Sequence, residues 1–252
     1  VASCYMRGLD TFYLPTTLLA MVDAALGGKT GVNFSKLKNA IGTFHLPQYV
    51  VIDSTCLKTL PQREFNSGLA EIIKYGMISD PLLVDKLENE VEAILNRKEE
   101  CLETIIQRCV ILKNQIVAED PKDMSGRRAT LNYGHTVGHA IEAVTGYHHY
   151  LHGEAIAMGM SCAAHLSVEL ALCPPSLIER QDRLCQCFDL PTQLPKLSIT
   201  HLIKRMKGDK KGSYGKINLI LLKEIGQVVK VSDVEPALIK HVLSIKMCDT
   251  KL

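Results

Sequence analysis

The chain has 252 residues, of which 46% are hydrophobic and 22% charged, and its formal net charge is +2. This composition is typical of a globular protein large enough to bury its own core. The near-neutral charge, the absence of Trp and the lack of an apolar run of membrane-spanning length argue against nucleic acid and membrane as partners.

The N-terminal part reads as α/β. Residues 1–8 have no initiator Met and resemble the tail of an apolar helix that ends at Gly8, as if the chain were entered in mid-domain. Residues 16–25 predict a helix with a threonine cap after Pro15. The glycine-rich residues 26–33, with Lys29, suit an anion, although their spacing is not that of a Walker A loop. A tight turn with a solvated lysine is the alternative.

Residues 47–53 predict a buried strand because they contain a β-branched run. From Pro61 onward the apolar spacing becomes helical. Helices are predicted at residues 63–78, 80–96, 99–117, around His135, 154–172, 199–207 and 236–245. Two strands are predicted near the end of the chain, at residues 217–222 and 227–231. A boundary near residue 65 therefore separates an α/β part, residues 1–65, from a mostly helical domain, residues 66–252.

Nine scattered cysteines form no Cys-x-x-Cys pair, and many of them lie within apolar helical patterns. Thiols of this kind behave as small hydrophobic side chains, and their number is odd. With no targeting pattern in the sequence, they indicate a reduced, cytoplasmic protein.

The most informative stretch places His135 and His139 one helical turn apart, with His152 at the start of a later helix. An earlier helix carries Glu71 and Lys74. One carboxylate and two or three imidazoles suit an open zinc site with room for a substrate oxygen. The glutamate that directly follows the first histidine of a zinc peptidase helix is absent. A solvated histidine pair and a surface Glu–Lys pair are the alternative.

Several short blocks occur together in one order: Gly27-Gly-Lys-Thr-Gly-Val-Asn33, Lys38-Asn-Ala-Ile-Gly42, Gly68-Leu-Ala-Glu-Ile-Ile-Lys-Tyr-Gly76, Asn132-Tyr-Gly-His-Thr-Val-Gly-His139 and Leu151-His-Gly-Glu154. Through these blocks the chain resembles the 3-dehydroquinate synthases, members of the sugar phosphate cyclases. The resemblance extends from residue 1 to about residue 222. It implies the remnant of an N-terminal NAD-binding α/β domain followed by a mostly helical metal-binding domain. The glycine-rich turn that meets the NAD pyrophosphate would then lie upstream of Val1.

The resemblance also implies roles for individual residues. Glu71, His135 and His152 fall on the zinc ligands, with Co²⁺ as an alternative ion. Substrate-binding and catalytic positions fall on Arg7, Lys29, Asn39, Lys74, Lys113, Arg128, Asn132, His139 and Lys210, with Lys211 as a substitute for Lys210. NAD-binding positions fall on Thr16, Thr17, Asp23, Lys29, Lys38, Thr59, Leu60 and Glu64. The acidic segment before Arg128 is one residue longer than is usual in the family, so no role is assigned to Asp123.

The implied reaction converts 3-deoxy-D-arabino-heptulosonate 7-phosphate into 3-dehydroquinate and phosphate, in the shikimate pathway of aromatic amino acid biosynthesis. The enzyme would be a lyase, dependent on NAD and zinc, and a homodimer. The alternatives are a 2-deoxy-scyllo-inosose or epi-valiolone synthase, a glycerol-dehydrogenase-like metal enzyme and a non-catalytic remnant. Because Arg128, Asn132 and His139 are present together, dehydroquinate synthase is favoured. We expect these residues alone to bind metal but not NAD.

Overall fold

The computed structural model describes residues 1–34, 37–121, 123–208 and 217–248. Regular elements in the first sixty of these are short. They are a 3₁₀ turn at Tyr5–Arg7, β1 at Phe12–Tyr13, a π-helix at Ala20–Ala24, β2 at Val32–Phe34, β3 at Leu37–Ile41, β4 at Tyr49–Val50 and a 3₁₀ helix at Ser54–Thr59. Strands β1 and β4 are parallel, whereas β2 and β3 form an antiparallel pair.

Two expectations for this region were wrong. A single 3₁₀ turn precedes Gly8 where a helix tail was expected. The strand expected at residues 47–53 is only two residues long, and Tyr49 is 66% exposed. Among the described residues β4 pairs only with β1, so Val51 is exposed and Val50 and Ile52 are only partly buried.

The segment around the π-helix is attached more firmly. Just before the π-helix, Thr17 Oγ1 accepts a hydrogen bond from the Ala20 backbone N–H at 3.2 Å, whereas the N-cap of the π-helix, Leu19, has no capping side chain. Leu18 packs against Gly68 so closely that a Cβ on that glycine would lie 2.7 Å from the leucine Cβ. Leu18, Met21 and Val22 are fully buried, so this segment joins the N-terminal part to the helices that follow.

The rest of the described chain is mostly helical. Its elements are α1 at Gln62–Ser79, α2 at Pro81–Asn89, α3 at Val91–Leu95, α4 at Glu99–Glu119, a 3₁₀ helix at Arg127–Asn132, α5 at His135–Val144, α6 at His152–Glu169, α7 at Ser176–Cys187, α8 at Ile199–Gly208, β5 at Asn218–Glu224, β6 at Gln227–Ser232 and α9 at Pro236–Lys246. The helix expected at residues 80–96 is interrupted at Glu90 and forms α2 and α3.

Helices α1 and α6 form the centre of the core. Phe65 to Ile78 of α1 are all buried, and most of α6 consists of buried small or apolar residues. Helix α5 lies close against α6 because glycines occupy the contact: a Cβ on Gly159 would lie 2.1 Å from the Gly134 carbonyl oxygen. Strands β5 and β6 form an antiparallel hairpin. In the described part of the chain no helix is both long and apolar enough to span a bilayer.

Candidate metal centre

Three side chains, one from each of three helices, point to a common position. Glu71 lies in the middle of α1, His135 is the first residue of α5, and His152 is the first residue of α6. One oxygen or nitrogen from each lies within 4.8 Å of the others. The carboxylate Oε1 of Glu71 is 3.5 Å from His135 Nε2 and 3.6 Å from His152 Nε2. One carboxylate and two imidazoles therefore face a common point.

Hydrogen bonds fix how the two imidazoles are turned. His135 Nδ1 lies 3.1 Å from the Tyr133 carbonyl oxygen, which only a protonated Nδ1 can engage as a donor. His152 Nδ1 lies 3.2 Å from Glu142 Oε1. In each ring the other nitrogen, Nε2, is left facing Glu71. A metal-binding histidine is commonly held in this way by an oxygen on its second nitrogen.

The two oxygens of Glu71 have different surroundings. Lys74, which is equally buried, donates a hydrogen bond to Oε2. Oε1 is buried and has no hydrogen-bond partner in the described residues. Burying a charged carboxylate oxygen without a hydrogen bond raises the free energy of the folded state unless a cation lies against it. Ligands about 2.1 Å from a tetrahedral zinc lie about 3.4 Å apart, close to the separations around Oε1. The residues present therefore fit a divalent metal.

The protonation of these groups follows from burial and from their mutual contacts. Burial would raise the pKa of Glu71, but Lys74 and the two imidazoles outweigh it and hold that pKa well below its usual range. Burial lowers the pKa of His135 to about 3. For His152 burial acts in the same direction, but Glu142 and Glu71 overcome it and raise its pKa to about 9. The site therefore has an ionised carboxylate and one neutral imidazole, and His152 must release its proton for its Nε2 to bind a metal.

A second set of side chains could also hold a metal. His139, Glu142 and His152 bring ligand atoms within the same 4.8 Å limit. Within this second set, Glu142 and His152 already hydrogen bond to each other, and His152 also belongs to the first set. The first set also contains the orphaned oxygen of Glu71. The geometry therefore favours Glu71, His135 and His152 as ligands, and it leaves His139 beside them, with its ring centroid 5.2 Å from that of His135.

A buried lysine ties the N-terminal part of the chain to this centre. Lys113 of α4 donates to Asp23 Oδ1 at 2.7 Å and also to the Asp23 carbonyl oxygen. Tyr75, next to Lys74 on α1, donates its hydroxyl to the same carboxylate oxygen at 2.8 Å. Burial would raise the pKa of Asp23, but Lys113 outweighs this effect and lowers it.

Arg128 lies under the glycine-rich loop. A Cβ on Gly27 would lie 2.9 Å from Arg128 Nη2. Arg128 is buried, donates to the Pro121 carbonyl oxygen at 3.2 Å, and keeps its Nε without a partner in the described residues. A buried guanidinium with an unused N–H is suited to an anionic group. At the exposed edge, Lys29 pairs with Asp123 at 2.6 Å.

The structure does not bring the other predicted residues to this cluster by any described contact. Asn132 is half-buried and ends the 3₁₀ helix before α5. Arg7, Asn39, Thr16, Thr59 and Glu64 are exposed, and Thr17 and Leu60 are partly exposed. Lys38 lies in β3, but its side chain is outside the described part. Lys210 and Lys211 also lie outside the described residues.

Three residues beside the centre were missed from the sequence. Glu142 follows His135 by seven residues, so it lies on the same face of α5, and this spacing was a usable signal. Tyr75 was not singled out from the sequence, because its neighbour Lys74 already accounted for the functional pattern of residues 68–76. Ser67, which contacts the start of α6, also gave none, because a single buried serine in an apolar helix has no distinguishing pattern.

Comparison with known sequences decides the family. The sequence model described as 3-dehydroquinate synthase C-terminal matches residues 68–212, more than half of the chain, and the one described as 3-dehydroquinate synthase N-terminal matches residues 1–67. This chain belongs to the 3-dehydroquinate synthase family. A 3-dehydroquinate synthase from Prochlorococcus marinus is 49% identical over 244 residues, which are 96% of this chain and 66% of that relative.

Solved structures of other sugar phosphate cyclases share the fold of this 3-dehydroquinate synthase family member. The 2-epi-5-epi-valiolone synthase from Streptomyces hygroscopicus, solved with NAD⁺ and Zn²⁺, aligns with a TM-score of 0.90 at 29% identity, over 97% of this chain and 68% of that one. A 2-deoxy-scyllo-inosose synthase, solved with carbaglucose-6-phosphate, NAD⁺ and Co²⁺, aligns with a TM-score of 0.87 at 28% identity, over 97% and 69%. The fold class predicted from the sequence is thereby confirmed.

Proposed function

We propose that the protein is a 3-dehydroquinate synthase, a lyase that converts 3-deoxy-D-arabino-heptulosonate 7-phosphate into 3-dehydroquinate and phosphate. The observation that carries the proposal is the convergence of Glu71, His135 and His152, with buried Lys74 bonded to Glu71 and buried Lys113 and Arg128 both lying beside Gly27. This arrangement suits a substrate that has hydroxyls for a metal and two anionic groups for cations.

The proposal includes Zn²⁺, with Co²⁺ as an alternative, held by Glu71, His135 and His152, and NAD⁺ as a reusable cofactor. When bound, zinc would supply Lewis acidity at a substrate hydroxyl, and NAD⁺ would supply reversible hydride acceptance. The chain spans 66% of the length of the Prochlorococcus relative. The metal centre is the part of the proposed site that can be tested directly on these 252 residues.

The protein's own side chains hold and orient the substrate. Lys74 neutralises the second oxygen of Glu71, which keeps this carboxylate ionised in a buried site. Arg128 offers its buried N–H to an anionic end of the substrate, and Lys113 provides a second cation at the Asp23 side. His139 and Asn132 are proposed to hydrogen bond to substrate oxygens that lie between these two cations. Because His135 and His152 are proposed metal ligands, His139 beside them is proposed to contact the substrate and not the metal.

The remaining assignments complete the proposal. Lys29, Asn39, Arg7 and Lys210 would approach the substrate from the opposite side. Thr16, Thr17, Asp23, Lys38, Thr59, Leu60 and Glu64 would contact NAD. The enzyme would act as a cytoplasmic homodimer, with residues 1–65 as part of the cofactor domain and residues 66–252 as the metal- and substrate-binding domain.

The test measures phosphate release by the full-length protein, with NAD⁺ and Zn²⁺, from two substrates, the heptulosonate phosphate and a hexose phosphate without a carboxylate. We expect release from the first only, because Arg128 and Lys113 form two separate cationic positions. Zinc content of the wild-type chain and of Glu71→Gln, His135→Ala and His152→Ala is measured in parallel. Each substitution should weaken zinc binding by more than about 100-fold, while His148→Ala, an exposed control, should not. Release from the hexose phosphate instead would favour a sister cyclase.

A further inference from the structure

One face of α1 and the start of α6 are matched residue by residue. Arg63, Ser67 and Glu71 are spaced by four positions, so they lie on successive turns of the same face of α1. Three consecutive residues at the start of α6 meet them in reverse order: Glu154, Gly153 and His152. The pair nearest the metal centre is Glu71 and His152, which are both proposed ligands.

The outer pair is a two-armed salt bridge. Arg63 donates from Nε to one oxygen of Glu154 at 2.6 Å and from Nη2 to the other at 2.7 Å. The same Nη2 also donates to the His149 carbonyl oxygen at 2.9 Å. Glu154 in turn accepts the Leu151 backbone N–H at 2.8 Å, so it caps the helix that it anchors. This pair fixes the direction in which the chain enters α6.

The middle pair is buried and very close. The Gly153 backbone N–H donates to Ser67 Oγ at 2.9 Å. A Cβ on Gly153 would lie only 1.9 Å from the Ser67 carbonyl oxygen, so only glycine allows this approach. The serine also satisfies one of the backbone N–H groups that the start of a helix leaves without an intrahelical partner. The contact therefore sets the separation of α1 and α6 one turn from Glu71 and one residue from His152.

We propose that Ser67 and Gly153 are positioning residues of the metal centre. They hold Glu71 and His152 at ligand spacing before an ion arrives, so less reorganisation accompanies metal binding. Glu142 fixes how the His152 ring is turned, whereas Ser67 and Gly153 fix where its backbone lies. This inference rests on the proposed metal function of Glu71, His135 and His152.

The chain contains a matched control for Ser67. Ser167, on α6, is also fully buried, and its Oγ also accepts a backbone N–H from another element, that of Leu222 at 2.9 Å. Its partner belongs to β5 and not to the metal centre. The Ser167 hydroxyl also donates to the Ala163 carbonyl oxygen at 2.8 Å. Both substitutions remove a buried acceptor for a backbone N–H, and only Ser67→Ala removes it beside the proposed ligands.

The experiment measures Zn²⁺ affinity by competition with a chromophoric chelator, and the visible spectrum of the Co²⁺-loaded chain, in wild type and both variants. We expect Ser67→Ala to weaken Zn²⁺ binding about tenfold, as does loss of other groups that support metal ligands, and to alter the Co²⁺ spectrum. Ser167→Ala should change neither, although thermal unfolding should show a loss of stability at least as large as that of Ser67→Ala. Gly153→Ala, kept as a second variant, should weaken Zn²⁺ binding more than Ser67→Ala.

The outcomes separate the two proposals. Equal Zn²⁺ affinity and identical Co²⁺ spectra in wild type and Ser67→Ala overturn the positioning role and leave the metal centre intact. Equal loss in Ser67→Ala and Ser167→Ala also overturns it, because the effect would then be one of general stability. A wild-type chain that binds no Zn²⁺ overturns both proposals.

Discussion

The first fifty residues and the helical remainder use apolar side chains in opposite ways. Of the 18 large hydrophobic residues exposed in the described chain, 13 lie at or before Val51. In this part the buried large apolar residues are confined to the short segment from Leu18 to Leu26. From Phe65 onward nearly every apolar residue of α1 and α6 is buried. The helical part builds its own core, while the N-terminal part is anchored in that core by the segment from Leu18 to Leu26, with the exposed Lys29–Asp123 ion pair as a further contact.

The difference follows from what each kind of element needs. An amphipathic helix buries its apolar face against its neighbours, and α1 is surrounded by the π-helix, α2, α4, α6, α7 and β6. A parallel strand has two faces to cover, and β1 and β4 have little against either. All three proposed metal ligands lie in the part with its own core. We therefore expect the metal centre to depend on the helices and not on the exposed strands.

The largest expected effect tests this contrast with one substitution type. Ile105 on α4 is fully buried, and Ile41 on β3 is 54% exposed. Ile105→Ala should lower the free energy of unfolding by about 2–5 kcal/mol, because it leaves a cavity in a packed core. Ile41→Ala should change it by less than about 0.5 kcal/mol, as surface substitutions do. Urea unfolding followed by circular dichroism measures both, and equal effects would contradict the contrast.

Prediction from the sequence was most successful where helical spacing and chemistry coincide. The spacing predicts α1, α4 and α9 to within a few residues, and the three residues matched to a metal do converge, although metal binding itself stays a prediction. It fails at residues 47–53, where a β-branched run indicates burial and the covering surface is absent from the described chain. It also misses Ser67 and Gly153, because their importance lies in a contact between residues 86 positions apart.

A smaller effect tests the joint between the two regions. Asp23 of the N-terminal part is the partner of buried Lys113 on α4. Asp23→Asn should lower the free energy of unfolding by about 2 kcal/mol, because it leaves the buried Lys113 ammonium without its counter-charge. It should also speed hydrogen exchange at residues 18–26. Asp10→Asn is the control, since Asp10 is exposed and bonds only to Gln48 in the described contacts. A cost no larger than that of the control would mean that apolar packing alone holds the joint.

The smallest effect concerns the loop after α4, which leads to Arg128. Asp120 is buried, and its Oδ1 accepts the backbone N–H groups of Met124 at 2.8 Å and Ser125 at 3.2 Å. Burial alone would raise the pKa of Asp120, but these donors favour the charged form and hold the pKa at about 2, against 3.8 for a free aspartate. The folded pKa is below the unfolded one, so the carboxylate stabilises the fold fully at neutral pH.

This stabilisation should disappear as the pH falls through about 4 towards 2, because protons then bind the folded and unfolded states alike. Urea unfolding of wild type and Asp120→Asn should give a difference in unfolding free energy that is constant between about pH 5 and 7 and shrinks below that range. Glu119→Gln is the control, because Glu119 is an exposed neighbour that pairs with exposed Arg127. A wild-type advantage that stays the same down to pH 2 would show that the loop is held by contacts other than the charged carboxylate.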